Sequence, residues 1–88
     1  MTEAEIAELT EVLAAIEHKR WSDWQRYVHS ECTRTKNGDL LIPARLVDGW
    51  QRQMDTAYSD LTEAEKESDR KQVRTYLPIV MKRFNEAR

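Results

Sequence analysis

The chain has 88 residues, of which 40 % are apolar and 34 % charged, with two glycines and two prolines; these totals fit one helix-rich globular domain spanning residues 1–88 and exclude a disordered chain. So small a domain buries only about 60–65 % of its unfolded surface, which leaves a thin core and a stability that is marginal or shared with a partner, a homo-oligomer included. No run is apolar for the ~20 residues a membrane span needs, and the lone Cys32 excludes an internal disulfide, so a cytoplasmic setting is expected.

The net charge of −2 is unevenly spread. Residues 1–17 hold five glutamates and no Lys or Arg, unlike a signal peptide. From Arg70 onward six basic side chains face one acidic one. A pI of about 5.7 argues against duplex-DNA binding, which needs a broad cationic face.

In chain order, Thr2 followed by Glu5 is a capping box that opens the first helix. Ile6, Leu9, Leu13 and Ile16 recur at helical spacing, and Trp24 and Val28 extend the stripe to about Cys32. Ser22 followed by Gln25 is a second capping signal, so two nearly continuous helices with a break near Arg20 to Ser22 are an alternative. "TRTKNGDLLIP" then interrupts the pattern as an extended loop, and Asn37-Gly38 within it is a two-residue hairpin signal for a short β-ribbon. Pro43 fits the first turn of a second helix. Leu46, Val47, Trp50, Met54 and Ala57 give that helix a face to bury, weakened by Gly49.

A third helix starts at Thr62, where Thr-Glu-Ala-Glu repeats the tetrad at Thr2. Its apolar side carries Val73, Tyr76, Leu77, Val80 and Phe84, and Pro78 should kink it or end its first segment. The expected fold is therefore all-α: a small three-helix domain with one extended loop between the first and second helices.

The side chains able to do chemistry are few. His29 and Cys32 are spaced to ligate zinc, with His18 further back, but a structural site needs four ligands and none completes this set. A Cys32–His29 nucleophile pair lacks an orienting group and an oxyanion site. With only Gly38 and Gly49 there is no phosphate loop. Neither metal nor cofactor nor enzymatic activity is expected. Trp24 and Trp50 read as core residues, whereas Trp21 points off the Leu13–Ile16 line and is free to stack on a base or to anchor an interface. Lys66, Asp69 and Arg70, at the start of the third helix, form either an ion-pair network that anchors the preceding loop or an anion site helped by backbone donors of the first turn.

Tyr58, Leu61, Glu65, Lys66, Asp69 and Arg70 form "Y-x-x-L-x-x-x-E-K-x-x-D-R", behind a Trp-bearing first helix and an extended loop leading to a proline. That order resembles the ryanodine-receptor repeat (RyR) domain. "W-x-x-W", "I-P" and "W-x-R-Q-M-x-T-x-Y", spanning Trp21 to Tyr58, also resemble small phage and prophage proteins. The resemblance covers roughly residues 21–80 and implies a helical module of phage or bacterial origin. It further implies sensing of a nucleotide-derived signal, or its sequestration as a sponge in antiviral conflict within the host cytoplasm. Two functions are then expected as alternatives. One is a non-catalytic module for a nucleotide-like anion, with Lys66, Arg70 and Arg52 on phosphate, Trp21 or Tyr58 stacking and Asp69 on a ribose hydroxyl. The other is an inhibitor or adaptor that docks on a host protein.

Overall fold

The computed structural model describes residues 1–86. Helix α1 (Glu3–Glu31) is one rod of 29 residues, about 43 Å long at 1.5 Å per residue. The Thr2 backbone N–H donates to Glu5 Oε1 at 3.2 Å and the Glu5 N–H donates to Thr2 Oγ1 at 3.1 Å, closing the expected box. No break occurs at Ser22. The pairs Arg20–Glu17 (2.7 Å), Lys19–Asp23 (2.6 Å) and Arg26–Asp23 (3.1 Å) run across that segment on the helix surface, and no Gly or Pro interrupts the backbone ladder there.

Strands β1 (Thr33–Arg34) and β2 (Leu40–Leu41) form the short antiparallel ribbon, with Thr33 opposite Leu41 and Arg34 opposite Leu40. Its turn is longer than the two-residue type that Asn-Gly signals. Gly38 N–H donates to the Thr35 carbonyl at 3.1 Å, Thr35 N–H donates to the Asp39 carbonyl at 2.7 Å, and only Gly38 has positive φ, at 90°. This is a three-residue loop in which glycine alone takes the left-handed position and Asn37 does not.

Helix α2 (Ala44–Met54) follows with Pro43 at its N-cap, one residue earlier than the sequence pattern placed it, and the Pro43 carbonyl accepts from Leu46 and Val47 N–H. Because α2 ends at Met54, Ala57 lies beyond it, before a 3-10 turn at Tyr58–Asp60. Helix α3 (Glu63–Glu86) starts behind a second capping box, Thr62 N–H to Glu65 Oε1 at 3.0 Å and Glu65 N–H to Thr62 Oγ1 at 3.2 Å. It does not end at Pro78 but continues to Glu86, carried past the missing N–H by Tyr76, Ile79 and Val80, which are half-buried on either side of the proline.

The three helices and the ribbon are the expected all-α arrangement. Helices α1 and α3 lie antiparallel: Arg83 reaches Glu8 at 3.4 Å, and nearer the other end Arg20 and Asp23 share a depression with Gln72 and Thr75. Helix α2 closes the third side through Trp50, whose ring centroid is 5.5 Å from that of Trp24, and through the Arg52–Glu65 ion pair.

Leu9, Leu13 and Ile16 of α1 and Tyr76, Ile79 and Val80 of α3 are half-buried, yet among the described residues none is fully buried. The radius of gyration is 17.7 Å, against about 12 Å for a compact chain of this length. Extents of 54 × 35 × 16 Å make the shortest dimension about one and a half helix diameters. Several residues expected in the core are instead exposed: Trp24, Val47, Met54, Val73, Leu77 and Phe84. Three helices in so flat an arrangement have no second layer to cover these side chains.

Candidate functional site

Two neighbouring features involve the start of α3. The first is the charged segment itself. Lys66 lies 3.6 Å from Glu63, Arg70 lies 3.2 Å from Glu63 and 3.3 Å from Glu67, and Arg74 lies 2.6 Å from Glu67. Arg52 of α2 donates to Glu65 Oε2. Glu65 therefore does two tasks, closing the Thr62 box with one oxygen and tying α2 to α3 with the other. The cations hold these carboxyls below the usual range: Glu65 chiefly through Arg52 and then Thr62, Glu63 chiefly through Arg70, and Glu67 chiefly through Arg74. Arg70 and Arg74 are raised in turn by the same carboxylates.

Of the six sequence-expected site residues, the structure gathers four around this network. Lys66 stands 5.9 Å above the Tyr58 ring, and Arg52 and Arg70 flank it through Glu65 and Glu63. Trp21 is elsewhere, 61 % exposed on α1 with His18 stacked on it at 6.2 Å. Asp69 lies one face away, in the second feature.

That second feature is an open groove of about 730 Å³ between the three helices. Its aromatic wall is Trp24, Tyr27 and Trp50. Trp24 packs tilted on both of the others, with centroids 5.4 Å from Tyr27 and 5.5 Å from Trp50. Its ionic lining is Arg20, Asp23, Glu65 and Asp69. Three of these are answered locally: Arg20 by Glu17, Asp23 by Lys19 and Arg26, Glu65 by Arg52. Among the described residues no ion pair or side-chain hydrogen bond engages the Asp69 carboxylate. The groove is thus an aromatic wall beside one uncompensated negative charge, a combination that attracts a cation.

The sequence assigned Trp24 and Trp50 to the core and did not single out Tyr27. The available signal was the spacing of Arg20, Asp23, Trp24 and Tyr27, which puts all four on one helix face. A core residue and a groove residue have the same periodicity, so only the missing second layer separates them. His29 is exposed and Cys32 half-buried, and among the described residues no three His, Cys, Asp or Glu side chains cluster as metal ligands. No helix of the described residues is long and apolar enough to cross a membrane. No family model matches the chain, and neither a curated protein nor a solved structure is similar to it.

Proposed function

We propose that the chain is a non-catalytic interaction module that docks on a partner protein by taking a basic side chain of that partner, an arginine above all, into the groove between α1, α2 and α3. One observation carries this reading: among the described residues no side chain compensates Asp69, in a groove walled by Trp24, Tyr27 and Trp50. A guanidinium stacks on the aromatic face and forms a bidentate pair with the carboxylate, the recognition that planar forks favour. A nucleotide phosphate needs the opposite sign at this position. Lys66, Arg70 and Arg52 would meet such an anion only by releasing Glu63, Glu67 and Glu65. The groove lining also holds neither His nor Cys to act as base or nucleophile.

Tryptophan fluorescence tests the reading in a Trp21→Phe background, which leaves Trp24 and Trp50 as reporters. Hexa-arginine should quench them at low salt, and Asp69→Asn should weaken that response at least about tenfold, the loss of one charge-assisted pair. ATP should leave them unchanged. Quenching by ATP that survives Asp69→Asn and disappears in Lys66→Ala would return the function to the nucleotide class.

A further inference from the structure

A different face of α3, independent of the groove, carries a second surface. Val73, Leu77 and Met81 repeat every four residues along the helix and are 38 %, 42 % and 54 % exposed. The face that meets α1 is formed by Tyr76, Ile79, Val80 and Arg83. At 100° per residue the two stripes lie roughly a quarter-turn apart, so α3 is apolar over about half its circumference and α1 covers only part of that.

We propose that a second copy of this chain covers the outer stripe, with the two α3 helices packed antiparallel across a two-fold axis near Leu77. Area favours this occupant. The chain exposes 7243 Å², whereas a compact monomer of 10.4 kDa exposes about 5,400 Å². That excess, about 1,800 Å² per chain, is more than the ~800 Å² that each partner contributes to a standard-size interface. A two-fold axis crossing α3 at Leu77 makes the pairing antiparallel and sets residues 73–81 against the same span of the other copy. A two-fold interface is self-complementary, so the middle of the stripe, Leu77, meets its own copy while Val73 meets Met81 of the other chain.

Light scattering on the eluting protein should give about 21 kDa, twice the 10.4 kDa chain, and Leu77→Glu should return it to the single-chain mass with its helix signal retained. In a Cys32→Ser background, Leu77→Cys should oxidise almost completely to a disulfide-linked pair, while Ser68→Cys, on the groove face, should not. That cross-link decides the matter if Leu77→Glu fails to fold. An elongated, folded monomer overturns the second copy and leaves the groove reading standing. A monomer with a radius of gyration near 12 Å overturns the uncovered face itself. A dimer that persists in Leu77→Glu and does not cross-link through Leu77→Cys overturns α3 as the contact.

Discussion

The two halves of α3 solve the problem of a small chain in opposite ways. Residues 63–70 meet most of their needs locally: the Thr62 box caps the backbone, and Glu63, Glu65 and Glu67 pair with Lys66, Arg70, Arg74 and, from α2, Arg52, leaving Asp69 to the groove. Residues 73–81 leave Val73, Leu77 and Met81 in water. Charge can be balanced locally along one helix surface, whereas apolar area needs a second layer. The charged half should therefore tolerate substitution, and the apolar half should govern assembly and stability.

The sharpest contrast is expected at Leu77. A glutamate there places two charges on the two-fold axis and should raise the dissociation constant about 100-fold, or about 2.7 kcal/mol; an unchanged sedimentation profile would break the comparison. Next comes Trp50→Ala, which removes one ring of the Trp24–Trp50 contact. Full burial of such a ring is worth about 3–5 kcal/mol, and half-burial scales the expected loss to about 2 kcal/mol in a urea titration, with a loss under about 0.5 kcal/mol marking the ring as a groove wall only.

Capping separates the starts of α1 and α3 on a smaller scale. Thr62→Ala should cost about 1 kcal/mol, the usual loss of an N-cap. Thr2→Ala should cost less although the tetrad is identical, because the first turn of α1 frays without unseating a neighbour, whereas Glu65 also holds α2. Equal losses by denaturant titration would show that Glu65 adds nothing beyond its cap.

Acid probes the charged pairs of α1 and α3 together. Glu5, Asp23, Glu63, Glu65 and Glu67 are all held below their ordinary range. Their contribution is complete above the unfolded values of about 3.9–4.3 and is lost as pH falls through the lowered folded values. Stability should therefore be level near neutrality and decline below about pH 4, as urea midpoints at successive pH values will show. Rising stability on acidification would mean that these pairs are not formed. The smallest effect should come from Arg70→Ala: its two partners are exposed and Glu67 keeps Arg74, so the urea midpoint should stay within error.

What the sequence made legible follows the same division. The two Thr-Glu-Ala-Glu tetrads located both helix starts, because a capping box is written within four residues. Asn37-Gly38 located the ribbon but overstated how tight its turn is, since three loop residues need only one of them in the left-handed region. The charged cluster was readable in part as an ion-pair network, because Lys66–Glu63 and Arg70–Glu67 are three residues apart; the pairs seven apart, Arg70–Glu63 and Arg74–Glu67, and the Arg52–Glu65 tie between helices needed the structure. The periodicity of α1 and α3 marked their apolar faces but could not say that α1 covers only one side of α3. Spacing within a helix carries no record of how many neighbours it has, so Trp24, Val73 and Leu77 read as core.

The central claim is that the outer face of α3 is covered by association, so folding and assembly are coupled. The direct test is the thermal midpoint followed by circular dichroism over a roughly hundredfold range of protein concentration. Coupled folding predicts a midpoint that rises steadily with concentration, by mass action on the associated state. A midpoint that does not move, in a protein that sediments as a single chain throughout, contradicts it.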